Sequence, residues 1–571
     1  MAVYADDVAI LASGPTYEGP AVRATLQNAL DAVVNHLGNI GLNISPEKTL
    51  ARMVHPPPSY CKNTPQLHLF GSPLPWQTSV KYLGVTIDHA LRWKTAVQGL
   101  RAGNRRITGY VARLLAGGEG ISIPLARQLY EGIAVARSLY ALPLVGVRAW
   151  QWEQLDADHR KALRRFAGLP NTSQVGPTYA ELGAWPVSLR AERAALNHIE
   201  RLHRAQGTAE LIARLRNSPH SRMGHVARLF DEWTPLTRSI APPALPPPHR
   251  NRPLSIQTEL PRVRSKRDTP RCAILQEAAE RLYGDYADRV VLYTDGSVMD
   301  NGESATASCA VPALGIERQC RVPHCPSSTV AELAGLHLAA DIIAGQSRMT
   351  AVVIASDSRA ALLQLRHPDR GTPCVANLSA KLCAVRDRGC DIVLQWVPSH
   401  IGLPGNEAAN RLAKNAHGDS AIPESDAVTP FDVARNTIHR RLMARHPDPR
   451  VASGNPPRLI SFVDFGTRAR RLLLHIRVGC VWTAERRQRI GGVGDGLCAD
   501  CGALETVDHL LRECPAFSGP RTALRIEYGE LGLPSATSGE LLFPAASAWG
   551  TRRALRHLIR FIDRAAITGR F

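Results

Sequence analysis

Two apolar stretches of strand length, RVVLYTDGS and AVVIASDSR, carry an aspartate at their ends, and the helical stretch TVAELAGLHLAADIIAG lies between them. This order predicts an open α/β sheet, in which the reactive crevice lies outside the carboxyl ends of the strands. Asp295 and Asp357 occupy two such ends, and Glu332 lies near the first turn of the intervening helix. We therefore expect the three carboxylates to meet in one crevice.

A cluster of carboxylate oxygens suits a hard cation such as Mg²⁺, and sites of phosphoryl transfer hold pairs of such ions. Each acid alone is weaker evidence, because aspartate at the end of a strand is often a helix cap or a turn former. The order and the context of all three acids favour the metal site.

The motifs YTDGS, STVAELAGLHLA, IASDSRAAL and QWVPSHIGLPGNEAANRLAK, in this order over about residues 287–416, resemble a type 1 ribonuclease H domain. The resemblance implies a mixed five-stranded sheet with flanking helices, and cleavage of the RNA strand of an RNA–DNA hybrid with two Mg²⁺ ions. It makes Asp295, Glu332 and Asp357 metal ligands. It also places His400 on a mobile loop, where it would help product release or move a proton. The alternative for His400 is a loop histidine without a chemical role.

Position 410 departs from this resemblance, because the family usually has aspartate in GNExAD and this chain has Asn410. A neutral amide offers a carbonyl oxygen to a cation but no negative charge. We therefore expect weaker binding of the second metal ion, lower turnover and a relative preference for Mn²⁺ over Mg²⁺. An inactive domain that only binds nucleic acid stays open as an alternative.

The opening residues MAVYADDVAILASG predict a strand, a tight turn and a second strand, with Asp6 and Asp7 at the turn. YADDVAIL resembles the catalytic palm turn of reverse transcriptases, and KYLGVTID resembles the following segment in retrotransposons that lack long terminal repeats. The resemblance makes Asp6 and Asp7 polymerase ligands. The family's first catalytic aspartate and its fingers region come before this turn and are not in the sequence. RNA-directed DNA polymerase activity is therefore expected only with the upstream part restored.

Near the other end, CADCGALETVDHLLRECP has the spacing C-x2-C-x7-H-x4-C, formed by Cys498, Cys501, His509 and Cys514. Such a set closes a tetrahedron around Zn²⁺, and four protein ligands make the ion structural rather than catalytic. The flanking sequences resemble the zinc-binding tail of the same class of retrotransposon. An apolar cysteine cluster without metal is the alternative.

Basic residues surround this motif. Candidates for holding nucleic-acid phosphates are Arg477, Arg486, Arg487 and Arg489, and the alternative for each is a solvated helix face. The last helical stretch, WGTRRALRHLIRFIDRAAI, is amphipathic and basic, and we expect it to pack on the zinc module rather than on a membrane.

The composition also indicates a polyanionic partner, because the formal net charge is +19 and the isoelectric point is near 9.8. No stretch approaches the roughly 18 apolar residues of a membrane span, and no secretory signal is visible. Most of the twelve cysteines are scattered, which favours a reducing compartment. We expect an intracellular protein of the cytoplasm or nucleus whose partners are RNA, DNA and their hybrid. The oligomeric state stays open.

Together these features predict a multidomain α/β chain, the C-terminal part of a polyprotein from a retrotransposon without long terminal repeats. The predicted segments are a partial palm (1–89), a helical thumb (90–234), a Pro-rich basic linker (235–285), a ribonuclease H domain (286–418) and an Arg-rich region (419–571) with the zinc motif at 498–514.

Overall fold

The computed structural model of the chain describes residues 2–571 except 16–17, 57–63, 117–120, 206, 235–252, 264–268, 300–303, 325–326, 347, 369–370 and 461–464. Contacts divide it into one unit of residues 1–195, 221–223 and 442–571, and a second unit of residues 196–220 and 224–441. Among the described helices, none combines the length and apolar character that crossing a membrane requires.

The first 233 residues form short strand pairs followed by helices. The strands are β1 (Ala2–Tyr4), β2 (Asp7–Ala9), β3 (Leu67–Leu69), β4 (Ser72–Leu74), β5 (Ser79–Tyr82) and β6 (Val85–Asp88). The helices are α1 (Gly19–Asn39), α2 (Lys94–Ala116), α3 (Ile123–Tyr130), α4 (Ala136–Ala141), α5 (Ala149–Ala167), α6 (Val175–Glu181), α7 (Val187–Arg204), α8 (Ala209–Arg216) and α9 (Arg222–Trp233).

Residues 253–443 alternate strands and helices. The strands are β7 (Ser255–Gln257), β8 (Val290–Val298), β9 (Ala305–Val311), β10 (Ile316–Arg321), β11 (Ala351–Ser356) and β12 (Asp391–Trp396). The helices are α10 (Arg271–Ala279), α11 (Ser328–Gly345), α12 (Arg359–Leu365), α13 (Pro373–Asp387), α14 (Pro404–Asn415) and α15 (Pro430–Met443).

The C-terminal residues are helical wherever they are regular. The helices are α16 (Pro449–Ala452), α17 (Thr467–Val478), α18 (Ala484–Gly491), α19 (Ser518–Glu530), α20 (Ser538–Leu542) and α21 (Ala548–Arg564). Short π-helical turns occur at Glu131–Val135, Glu280–Asp285 and His509–Glu513, and single 3₁₀ turns at Leu142–Leu144, Pro312–Leu314, Ala416–Gly418, Pro515–Phe517 and Thr568–Arg570.

The second unit is built on a mixed six-stranded sheet in the order β10-β9-β8-β11-β12-β7. Strands β10, β9 and β8 pair antiparallel, and β8, β11, β12 and β7 pair parallel. The predicted ribonuclease H segment, 286–418, contributes five of these strands, β8 to β12, and a sixth strand joins them from outside it. The additional edge strand, β7, pairs with Val393–Gln395 and lies inside the segment that we predicted to be a linker.

The Pro-rich part of that predicted linker, 235–252, lies outside the described residues, whereas its described part contains β7 and α10. Ile256 of β7 is buried at the edge of the sheet, and α10 buries Ile274 and Ala278. Three strand residues between prolines and arginines give no period-two pattern, because the strand is too short to show one. The prediction of a linker is therefore wrong for these residues.

Helices cover both faces of the sheet. Leu292, Ile354 and Leu394 share one buried cluster with Leu336 of α11 and Leu378 of α13. The opposite face packs Tyr293 and Val353 of the strands against Ala409 of α14 and Leu282. A sheet covered in this way leaves its strand ends as the place where polar groups reach solvent.

In the first unit, the chain starts with the predicted hairpin of β1 and β2, in which Tyr4 pairs with Asp7. The largest buried cluster of this unit combines α5 and α6 with the C-terminal helices, and it includes Leu163, Tyr179, Leu473, Tyr528 and Phe561. Residues that lie far apart in the sequence therefore form one core.

Candidate metal centres

Asp295 and Glu332 meet because a glycine lets a helix approach a strand. Asp295 lies on β8, and the next residue is Gly296. A Cβ atom at Gly296 would lie 2.4 Å from the backbone nitrogen of Glu332, so no larger residue fits against α11. This close approach places the first turns of α11 beside the carboxylate of Asp295.

Asp357 joins them because its strand runs parallel to β8. Ser356, the last residue of β11, pairs with Thr294, so Asp357 leaves the sheet beside Asp295. The indole of Trp396 donates a hydrogen bond of 3.1 Å to the backbone carbonyl of Asp357. One carboxylate oxygen from each of Asp295, Glu332 and Asp357 lies within 4.8 Å of the others. This is the juxtaposition that the sequence predicts.

The three carboxyl groups repel one another, and two of them are buried. Asp295 is 6% exposed and Glu332 is 8% exposed. Burial, and then the charge of Asp357, raise the pKa of Asp295 to about 7. Burial, followed by Asp357 and Asp295, raises the pKa of Glu332 well above its usual value. Oε2 of Glu332 is buried without a hydrogen-bond partner among the described residues. A buried orphan oxygen beside two further carboxylates is a donor set that fits a divalent cation.

Helix α14 brings the remaining predicted residues toward this crevice. The hydroxyl of Ser308 donates a 2.7 Å hydrogen bond to the carbonyl of Ala409, and a Cβ at Gly405 would lie 2.2 Å from the ring of Tyr293. Asn410 follows Ala409 and is half-buried. His400 lies in the preceding loop, exposed and with a φ of 57°.

Sequence reasoning missed two charged residues on α14. The charge of Lys414 lowers the pKa of Asp295 and that of Glu407 raises it, so both act on the carboxyl cluster. Glu407 also accepts a 3.4 Å hydrogen bond from the backbone of Gly402 in the loop that carries His400. The available signal was the helical spacing of Glu407, Asn410 and Lys414, which are three and four residues apart.

The cysteine and histidine side chains of the second predicted site also converge. The sulfur of Cys514 is 3.8 Å from that of Cys498 and 3.7 Å from that of Cys501, and Nε2 of His509 is 3.2 Å from the Cys501 sulfur. Sulfur ligands at about 2.3 Å in a tetrahedron are separated by roughly 3.8 Å. The spacing of the sulfur atoms therefore fits a tetrahedral zinc site.

Arg570 lies beside this cluster, and no local sequence pattern predicts its position there. Its Nη1 lies 3.5 Å from the sulfur of Cys498 and 3.1 Å from Glu505, and its Nη2 lies 2.5 Å from Asp500. A cation at this position would balance part of the charge of thiolate ligands.

Two of the four predicted phosphate contacts are buried. Arg477 is 6% exposed, and its guanidinium pairs with Glu181 at 3.2 Å and donates to the carbonyls of Leu542 and Arg458. Arg486 is also buried and donates to the carbonyl of Gly479. Neither guanidinium is exposed where a nucleic-acid strand could reach it. We therefore no longer assign phosphate binding to Arg477 and Arg486.

The other two candidates, Arg487 and Arg489, are exposed, and Arg489 lies 3.0 Å from Glu485. Asp6 and Asp7 are exposed at the β1–β2 turn, where Ala5 has a φ of 51°. Among the described residues they belong to no group of three or more acidic, histidine or cysteine ligands.

Two segments match known families. Residues 1–87 match the family described as reverse transcriptase (RNA-dependent DNA polymerase), and residues 287–417 match RNase H. The chain thus carries a reverse transcriptase segment followed by a ribonuclease H domain. A solved RNase H1 from the archaeon Halobacterium salinarum NRC-1 is 22% identical, with a TM-score of 0.20, over 23% of this chain and 99% of that one.

Two relatives come from mobile elements of Drosophila melanogaster. The chain is 26% identical over 208 residues to the 115 kDa protein in the type-1 retrotransposable element R1DM, covering 35% of this chain and 19% of that protein. It is 24% identical over 220 residues to the RNA-directed DNA polymerase from the mobile element jockey, covering 37% and 24%. The aligned part is thus a quarter or less of each relative. With the two family matches, these relatives identify the chain as part of a retrotransposon polyprotein, as predicted.

Proposed function

We propose that this chain cleaves the RNA strand of RNA–DNA hybrids at the crevice formed by Asp295, Glu332 and Asp357. The observation that carries the proposal is the approach of their carboxylate oxygens to within 4.8 Å of one another. The match of residues 287–417 to RNase H supports the choice of substrate.

Asp295, Glu332 and Asp357 would hold two divalent cations, Mg²⁺ or Mn²⁺. When bound, the cations supply Lewis-acid chemistry that activates a water and balances charge on the leaving oxygen. The protein's own contribution is to force the three carboxyl groups together before any ligand arrives. Burial of Asp295 and Glu332 lowers the local dielectric around their carboxylates, so their fixed charges act more strongly than in water.

Asn410 and His400 would tune this reaction. Asn410 can offer a neutral oxygen toward the crevice, whereas aspartate would add a charge. His400, exposed on its loop, would move a proton or help the cut strand leave. The hybrid would be held through its backbone and 2′-hydroxyl groups, with little sequence preference.

The test is cleavage of a labelled hybrid by the wild type and by Asp295→Asn. We expect the variant to lose at least about 100-fold in rate, since it removes a charge that the transition state needs. Equal cutting by both proteins would mean that the activity comes from a contaminant, and the proposal would fall.

A second variant tests position 410. We expect Asn410→Asp to lower several-fold the Mg²⁺ concentration for half-maximal cleavage and to narrow the preference for Mn²⁺, because it adds a negative ligand. Asn410→Ser is the matched neutral control. An unchanged metal dependence in the aspartate variant would contradict the role that we give to Asn410.

Asn410 also favours a second candidate function, a binding remnant of a reverse transcriptase in which the nuclease site no longer turns over. This protein would bind hybrid with an affinity that falls steeply with salt and would release no cleaved RNA at any Mg²⁺ or Mn²⁺ concentration. The zinc module, with a structural Zn²⁺ held by Cys498, Cys501, His509 and Cys514, serves either function.

A further inference from the structure

The last long helix, α21, packs its apolar face into the core of the first unit. Leu555, Leu558, Phe561 and Ile562 are buried in the cluster that also contains Cys514. On the inner side, Nδ1 of His557 lies 3.0 Å from a carboxylate oxygen of Glu527 on α19. The opposite side of the helix is exposed to solvent.

That opposite side is a stripe of arginines. The fully exposed positions of α21 are Ala548, Trp549, Arg553, Arg556, Arg560, Asp563 and Arg564. The arginines recur at intervals of three, four and four residues, which puts one on each turn, about 4.5–6 Å apart along the axis. Arg564 lies 3.7 Å from Glu527, and the hydroxyl of Thr568 donates to Asp563 at 3.3 Å. The stripe carries a clear excess of positive charge.

An exposed tryptophan stands at the start of the stripe. Trp549 is 57% exposed, and the guanidinium of Arg553 lies 4.8 Å from the centre of its ring. A large aromatic ring that is exposed to water has a higher free energy than one that is buried. Aromatic rings beside a line of cations are the combination with which proteins hold single-stranded nucleic acid, since bases stack on the ring while arginines follow the phosphates.

We propose that the exposed face of α21 binds single-stranded nucleic acid, with Arg553, Arg556 and Arg560 on successive phosphates and Trp549 stacked on a base. An anionic membrane is the less suitable occupant, because Trp549 is the one large apolar side chain on the fully exposed face of this helix. This surface does not include the Asp295 crevice, so a failure to detect hybrid cleavage would not contradict the proposal for α21.

The test measures binding of the full chain to fluorescently labelled oligo(dT) and oligo(U) over a range of salt concentrations, without Mg²⁺. The triple variant Arg553→Ala, Arg556→Ala, Arg560→Ala is compared with the matched triple variant to lysine. We expect the alanine triple to reduce the salt slope by about 2, at roughly 0.7 per lost contact with a single strand, and the lysine triple to keep it. All three positions are exposed, so the core stays intact.

A second pair of variants tests the stacking. We expect Trp549→Ala to weaken binding by roughly 5- to 100-fold and Trp549→Phe to retain most of it, because both aromatic rings present a π-face to a base. Equal binding and equal salt slopes in the alanine and lysine triples would overturn the proposal. It would also be overturned if the wild type bound phosphatidylserine vesicles but neither oligonucleotide.

Discussion

In the proposed nuclease site the charged carboxyl of Asp295 would hold metal ions, but without metal the same charge destabilises the fold. Its carboxyl is buried between Glu332 and Asp357, and its pKa is raised to about 7 by burial and by Asp357. An unfolded aspartate has a pKa near 3.9. The fold therefore binds the proton of Asp295 more tightly than the unfolded chain does. Its stabilising contribution is complete below about pH 4 and is lost as the pH rises through 7.

The difference between the pKa of Asp295 in the folded and in the unfolded chain gives a prediction for the metal-free protein. We expect Asp295→Asn to raise the unfolding free energy by roughly 2–4 kcal/mol at pH 8, where the wild type is charged, and to change it little at pH 4. Calorimetry at both pH values, without divalent cations, measures the difference. Asp288→Asn, at an exposed position, is the control. A stabilisation that is equal at both pH values would contradict the electrostatic account.

At the scale of elements, the site depends on how closely α11 approaches β8. A Cβ at Gly296 would lie 2.5 Å from the backbone carbon of Ala331 as well as close to Glu332. Backbone atoms cannot yield as a flexible side chain can, so any substituent must move the helix. Gly296 has no positive φ, and its requirement comes from this close approach alone.

We predict that Gly296→Ala displaces α11, costs about 2–4 kcal/mol of stability through overpacking and lowers hybrid cleavage more than 10-fold. Gly345→Ala is the matched control, because it lies at the end of the same helix with nothing within 4 Å of its added Cβ. Unfolding and cleavage are measured on both variants. A Gly296→Ala protein with wild-type stability and rate would show that the helix does not need this approach.

The cysteine cluster is a second element whose integrity depends on a few atoms. Cys498 and Cys514 are buried in the core cluster with Leu510 and Leu511. We predict that Cys514→Ser abolishes stoichiometric zinc and exposes residues near 498–514 to proteases, because ligand and folding energies are coupled. Elemental analysis and limited proteolysis measure this. Cys272→Ser, at an exposed cysteine outside the cluster, should retain both zinc and resistance.

Across the whole molecule, the features that could be predicted from the sequence were those with a pattern among nearby residues. Asp295, Glu332 and Asp357 were found because apolar stretches bring strand ends together, and the zinc ligands because their spacing is short. Even His337 of α11 is buried, and its Nε2 lies 2.9 Å from the backbone carbonyl oxygen of Cys374 on α13. A helix buried on nearly every side has no amphipathic pattern from which to infer its surroundings.

The arginines show what patterns among nearby residues cannot predict. Charge identifies Arg477 and Arg486 as candidates for phosphate binding, but the sequence does not reveal that Glu181, nearly 300 residues away, neutralises Arg477. Burial and pairing depend on contacts between distant segments, which no local pattern records. The strand β7 is too short to show a pattern of its own, and its partner, β12, lies far along the chain.

The pair of Glu181 and Arg477 joins segments of the first unit that are 296 residues apart in the sequence, and Arg450 adds a second contact to Glu181 at 3.3 Å. We predict that Arg477→Met destabilises the protein by about 3–5 kcal/mol, because it leaves a buried carboxylate with a single partner. The double variant Glu181→Gln, Arg477→Met should recover part of that loss, since it removes the orphaned charge. Denaturant unfolding measures both.

The same variant separates a structural from a nucleic-acid-binding arginine. Because its guanidinium is enclosed, Arg477 contributes no counterion release, and its replacement should leave the salt dependence of oligonucleotide binding unchanged at temperatures where the fold persists. Arg487→Ala, at an exposed position on α18, should leave stability unchanged within about 0.5 kcal/mol. If Arg477→Met lowered the salt slope without lowering stability, the buried ion pair would not exist in solution, and Arg477 would have to lie at the surface as the charge pattern alone suggested.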